Sequence, residues 1–250
     1  MPAALFTLLA VLVAAGAFTW LDQAAVDHLM PGLDRGAGSW GGGGIGTIRV
    51  SEALLPGFNA PRHGDATIAA VTYAIVVLAS VLPSVLLAGG ALAVLARRGQ
   101  RALAATLGSA FVAANLAEVV SKLSLVRPGL HTVGPADALP RILPFDQSYP
   151  SGHALRAALL AACVCAVWRR ARGPLVTWAL AVPAMLVVGG WHTPTDVVGG
   201  TLLAVAFTAA AAAFAPWVAT RWPRLLGDRQ PGGAAGKAPD RAAPGGEVPS

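Results

Sequence analysis

Charge is what this sequence has least of. Asp, Glu, Lys and Arg together make up 12% of its 250 residues, about half of the roughly 25% typical of soluble domains. That scarcity excludes an ordinary solvated surface around a single core. Cysteine is nearly absent as well. Cys163 and Cys165 are the only two, and residues two apart on a helix point to different sides. They are expected to be small packing residues, with neither a disulfide nor a metal site. No His-Glu-x-x-His element of a zinc enzyme occurs, and no internal repeat. A stripe of basic and aromatic residues is also missing, so nucleic acid is not the expected partner, and the net charge of +6 needs another explanation.

What is abundant is apolar length. Hydrophobic residues make up 55% of the chain and the mean hydropathy is +0.62. Six stretches, 3–21, 67–95, 102–124, 153–168, 174–191 and 196–219, approach the roughly 20 helical residues that cross a hydrocarbon core of about 30 Å. The predicted fold class is therefore all-α, a polytopic membrane bundle of six transmembrane helices. The second stretch is long enough to tilt or to bend at Pro83, and the fourth is short unless it starts near Ser151. The first is expected to be an anchor that stays attached. Small residues Ala14, Ala15, Gly16 and Ala17 would suit a cleaved signal peptide, but Met1-Pro2-Ala3-Ala4 has no positive n-region.

The arginines explain the charge. Arg97, Arg98 and Arg101 lie between the second and third stretches. Arg169, Arg170 and Arg172 lie between the fourth and fifth, and Arg221, Arg224, Arg229, Lys237 and Arg241 follow the sixth. The positive-inside rule makes these places cytoplasmic, with both termini inside a multi-pass cell-membrane protein. The connections 22–66, 125–152 and 192–195 then face outward. We read 1–226 as one membrane domain, and 227–250, rich in Gly, Pro and Ala, as a disordered cytoplasmic tail near anionic lipid. The Gly- and Pro-rich 22–66 connection reads as a mobile outer cover.

Two histidine islands fall on that outer side. Pro150-Ser151-Gly152-His153 opens the fourth stretch, where Pro fits at a helix start and unpaired amides with the helix dipole make an anion site. Ser151 adds a hydroxyl, and Gly152 permits close approach of a phosphate oxygen. Alternatively this is an ordinary capped helix with an interfacial histidine. In the second island, His192 and Asp196 are four apart, so the carboxylate can turn back to the imidazole, fix its tautomer and leave the other nitrogen as a nucleophile. The competing role for Asp196 is an N-cap, beside a belt-forming Trp191. Lys122 and Arg127 bracket the outer end of the third stretch; Lys122 is either a phosphate ligand or the partner of Glu118, one turn below, with Asn115 continuing the polar stripe.

Lys122 with Arg127-Pro128, then Pro150-Ser151-Gly152-His153, then His192-x-x-x-Asp196 resembles the type 2 phosphatidic acid phosphatase superfamily, over the second to sixth stretches. The resemblance implies a metal-independent phosphatase of lipid phosphates or polyprenyl pyrophosphates, needing no cofactor, on a helical core shared with vanadium haloperoxidases. It implies that His192 attacks phosphorus, Asp196 orients it and His153 protonates the leaving oxygen, while Lys122, Arg127, Ser151 and Gly152 hold the phosphoryl group. Two elements depart from the family pattern. Its Lys is followed after six residues by Arg-Pro, whereas four separate Lys122 from Arg127, and strict counting reaches Gly129 and Leu130. Its Ser-Arg before the nucleophilic histidine is replaced by Met185 and Leu186.

Losing one oxyanion-stabilising donor costs about 100–1,000-fold in rate, so a substitute cation matters. Arg156 shares a helix face with His153 and either snorkels to the outer interface or turns inward to supply the fork that Leu186 cannot. Arg141 and His131 are further candidates for head-group contact. Rival readings are a non-catalytic relative that binds phospholipid or polyprenyl head groups, a lipid phosphotransferase and, least favoured, a haloperoxidase.

Overall fold

The computed structural model describes residues 1–29, 66–126, 130–132, 141–143, 148–189 and 191–223. Among the described residues eight α-helices follow one another: α1 (Pro2–Ala14), α2 (Thr19–Leu29), α3 (Ala66–Val76), α4 (Val81–Arg97), α5 (Arg101–Ser124), α6 (Gly152–Val167), α7 (Arg172–Val188) and α8 (Pro194–Arg221). Single 3-10 turns, Val77–Ala79 and Arg169–Ala171, precede α4 and α7. The fold is an all-α bundle apart from a small antiparallel pairing of β1 (Leu130–Thr132) with β2 (Arg141–Leu143), in which Leu130 opposes Leu143.

The spans are less uniform than six continuous helices. α5, α8 and the segment Arg169–Val188 are each long and apolar enough to cross a membrane alone. The first expected span, 3–21, breaks instead. Gly16 takes φ 76°, Ala17 N–H bonds to Leu12 O and Gly16 N–H to Val13 O. These two bonds are the Schellman termination that a left-handed glycine allows. The small residues at 14–17 thus end a helix, and α2 leaves at 78°. The expected 22–66 cover accordingly begins as helix, with Asp22, Ala25 and Val26 buried; residues 30–65 lie outside the described residues.

The second expected span also bends, by 48°, but before Pro83 rather than at it. Pro83 occupies the first turn of α4, where a missing N–H costs nothing. A continuous helix would need Pro83 to donate to Ala79 O, which it cannot. The break therefore falls over 77–80, and Ile75 O near its start accepts from Trp178 Nε1 at 2.9 Å.

Helix α6 lies at the centre. It has sixteen residues, ten of them buried, so protein rather than lipid surrounds it. Leu155, Leu159, Leu160, Cys163 and Val167 pack with buried residues of α4, α5 and α8. Ala154 and Ala157 on its other side join Val76, Val182 and Leu186. Its near-total apolarity is what a fully surrounded helix requires. Cys163 and Cys165 are both unbridged. On the periphery, Leu8, Val11, Leu116, Val120, Leu180, Phe214 and Trp217 are exposed, an apolar belt suited to lipid.

The arginine-rich connections share one end. Arg98 Nη1 donates to Val167 O, the last carbonyl of α6, at 2.7 Å, so 97–101 meets 169–172 there. The histidine islands stand at the other end of α6, about 24 Å away at 1.5 Å rise per residue.

Candidate active site

Three helix termini build the site: the starts of α6 and α8 and the last turns of α5. Ser151 caps α6, its Oγ accepting from Ala154 N at 3.4 Å, and Ser151 N–H donates to Asp196 O at 2.9 Å. That backbone bond ties the two histidine islands together. Glycines make the approach possible. A Cβ on Gly200 would strike the carbonyl of Ser151, and one on Gly199 would stand 2.7 Å from the Tyr149 hydroxyl oxygen. The adjacent glycines inside an apolar helix were the available sequence signal for this close contact.

Asp196 is fully buried and both expected roles apply to it. Thr193 and Asp196 form a capping box at the start of α8, with Thr193 N–H donating to Asp196 Oδ2 at 3.1 Å. The same oxygen accepts from Ser148 Oγ at 2.7 Å and faces His192 Nδ1 at 3.4 Å. A carboxylate can only accept, so this contact favours the proton on Nδ1 and leaves Nε2 as the open nitrogen. His192 remains partly exposed, its side chain at 14%.

A second carboxylate supports the same helix start. Asp22 of α2 accepts Thr195 N–H at 3.1 Å and the Thr195 hydroxyl at 2.6 Å. Since Thr195 gives its proton to Asp22, the 3.3 Å contact with Thr193 Oγ1 is donated by Thr193. Asp22 and Ser148 escaped the sequence reading. Asp22 lies in the stretch that reads as a mobile connection, and no local pattern ties either residue to the start of α8.

His153 is half-buried, with Trp191 edge-on at 6.1 Å between ring centroids and within electrostatic range of Arg156, His192 and Lys122. Trp191 Nε1 and Tyr149 Oη are buried polar atoms without a hydrogen-bond partner among the described residues. Burial holds the Tyr149 phenol above its ordinary range, and the charge of Asp196 pushes the same way.

The cations converge on Glu118. Arg156 turns inward, 7% exposed. Its Nη1 meets Glu118 Oε2 at 3.0 Å and Asn115 Oδ1 at 3.3 Å, and its Nε donates to Ala79 O at 2.9 Å. Lys122 Nζ meets Glu118 Oε1 at 2.7 Å. Of the two roles open to Lys122, the ion pair is the one seen; of the two open to Arg156, the inward one. A Cβ on Gly152 would meet Glu118 Oε1 directly and stand 2.8 Å from Arg156 Nη2, so this cluster lies against the start of α6.

Leu186 is fully buried, and its carbonyl accepts the N–H groups of Trp191 and His192 at 2.9 and 3.1 Å. It is a packing residue at the turn into His192. Arg127 and Pro128 lie outside the described residues, so the structure brings together His153, His192, Asp196, Ser151, Gly152, Lys122 and Arg156 without them. The side chains of His131 and Arg141 are likewise outside the described residues. Among the described residues, no group of three or more His, Cys, Asp or Glu side chains could hold a metal ion.

Such a site can present an imidazole nitrogen, a second imidazole, two cations and a helix N-terminus to one anion. Residues 101–220 match the model of the PAP2 superfamily. No curated protein and no solved structure matches the chain.

Proposed function

We propose that the chain, whose residues 101–220 match the model of the PAP2 superfamily, hydrolyses a lipid phosphate or polyprenyl pyrophosphate at the outer membrane–water interface, by way of a phosphohistidine. The observation that carries this reading is the Asp196 Oδ2–His192 Nδ1 contact at 3.4 Å, on an Asp196 itself held by Thr193 N–H and Ser148 Oγ. A buried carboxylate anchored from two sides serves to orient an imidazole; binding alone needs no such pair.

In the proposed mechanism, neutral His192 attacks phosphorus through Nε2, while Asp196 stabilises the imidazolium that forms. His153 as imidazolium protonates the departing lipid oxygen. Water then attacks the phosphohistidine with neutral His153 as base, releasing inorganic phosphate and restoring His192. Arg156, Lys122, Ser151 and the first amides of α6 hold the phosphoryl oxygens, with Arg127 as a further cation from the adjoining loop. The opposite starting protonation states of the two histidines make the rate bell-shaped in pH. The arginine-rich connections at the far end of α6 support an outward-facing site, with both termini inside. A lipid phosphate or pyrophosphate in the bilayer is the partner, and no cofactor enters.

The second reading, a non-catalytic head-group binder, is favoured by Met185 and Leu186 in place of the Ser-Arg element, because a lost phosphate-holding arginine lowers the rate of a phosphatase by about 100–1,000-fold. Purified protein in detergent, with excess chelator, tested on a panel of lipid phosphates decides between them. Phosphate release that His192→Ala abolishes and Asp196→Asn lowers about 100–10,000-fold supports the enzyme. No release from any member of the panel, or a His192→Ala variant near the wild-type rate, refutes the mechanism.

A further inference from the structure

Two buried or half-buried cations and one helix N-terminus would ordinarily wait for a ligand anion; here a side chain of the same protein already stands among them. The Glu118 carboxylate bonds Lys122 with one oxygen and Arg156 with the other, at 2.7 and 3.0 Å. The same carboxylate lies against Gly152 at the start of α6, in the space a side chain there would need: a Cβ would be 2.6 Å from Glu118 Cδ. Arg156 retains one nitrogen, Nη2, that makes no hydrogen bond among the described residues and lies beside Gly152. The guanidinium itself is fixed by Ala79 O, Asn115 and Glu118. Glu118 is therefore a third acidic group of this region besides Asp196 and Asp22, and the one that meets the cations.

We propose that Glu118 is a resident counter-anion of the phosphoryl site, competing with phosphoryl oxyanions for Arg156, Lys122 and the start of α6 and so setting their affinity. The proposal rests on the phosphoryl-site reading above. Cations withdrawn from water without a partner are costly, and Glu118 compensates them while the site is empty. A phosphoryl group must then share the cations with Glu118 or displace it, which weakens its retention and favours release of the product phosphate. Asn115, which also holds the Arg156 guanidinium, keeps that side chain in place when Glu118 yields.

The test uses the full chain in detergent, with inorganic phosphate as the probe. Glu118→Gln keeps the shape and removes the charge. It is expected to tighten phosphate by about tenfold or more, equivalent to about 1.4 kcal/mol, read both as the inhibition constant for phosphate and as the phosphate dependence of the melting temperature. The melting measurement is repeated in a His192→Ala background, which needs no turnover. Glu118→Asp withdraws the carboxylate by one methylene and is expected to tighten phosphate by a smaller factor. A folded Glu118→Gln protein that binds phosphate no more tightly than wild type overturns the proposal. So does failure of both variants to fold, because Glu118 would then be a structural counter-ion. Absence of any phosphatase activity, with phosphate binding still tightened by Glu118→Gln, would refute the hydrolase reading and leave this proposal standing.

Discussion

Arg156 donates its Nε–H to the carbonyl of Ala79 at 2.9 Å. Ala79 lies four residues before Pro83, and a proline has no N–H to give it. The arginine of α6 thus serves the acceptor that a proline of α4 leaves open, and the bend in the 67–95 segment becomes part of what aims Arg156. The inward arginine is held by backbone as well as by Glu118.

Arg156→Ala should therefore cost both stability and activity. Removing it leaves Glu118 with Lys122 alone and Ala79 O without its donor, a loss of about 3–5 kcal/mol for one partner of a buried ion pair. Phosphate release should fall about 100-fold or more. Exposed Arg169→Ala is the control, with melting temperature and kcat/KM as readouts. Equal activities in the two variants would remove Arg156 from the phosphate site.

Asp22→Ala removes both acceptors of Thr195, at a cost of about 1–3 kcal/mol. The start of α8 would loosen, and with it the His192–Asp196 pair. kcat should fall more than KM rises, and Asp22→Asn, which keeps an acceptor oxygen, should lie between. Melting curves and steady-state kinetics on the three proteins check this.

Gly200→Ala should destabilise by about 1–3 kcal/mol or more, because the new methyl strikes the backbone carbonyl of Ser151, which cannot swing aside as a side chain could. Gly89→Ala is the contrast. Nothing lies within 4 Å of a Cβ there, so the helix α4 should gain about 0.5–1 kcal/mol. Thermal unfolding in one detergent measures both.

Tyr149 gives a pH prediction. Its phenol is raised above the unfolded value of about 10, so the native state holds that proton more tightly. Its contribution to stability is complete below pH about 10 and is lost as pH rises from there toward the folded value. Tyr149→Phe should flatten the alkaline decline. It should change neutral stability little, since the hydroxyl makes no hydrogen bond among the described residues. Unfolding followed from pH 8 to 11 in both proteins tests the sign; a steeper decline in the variant would refute it.

Much of the site was legible in the residues because its signals are local. Ser151-Gly152-His153 starts a helix where a cap, a glycine and a histidine are contiguous. His192 and Asp196 are related by one helical turn, and the spacing alone brings their side chains together. The apolar segments followed from composition, and the common end of the arginine-rich connections from charge. The break at Gly16 is local too, but its small residues read as a signal-peptide boundary as readily as the helix cap that they form.

The sequence by itself determined an apolar helical bundle, the histidine islands at helix starts and the pairing of His192 with Asp196, because helix periodicity and loop charge act over a few residues. Only the tertiary structure decided that Arg156 turns inward to Ala79 and Glu118, that Asp22 braces α8 from 173 residues away, and that Gly199 and Gly200 let Tyr149 and Ser151 approach. Those contacts join side chains whose separation in sequence carries no information. They are set by which helices the buried faces bring together, and by the need of each buried donor and acceptor for a partner.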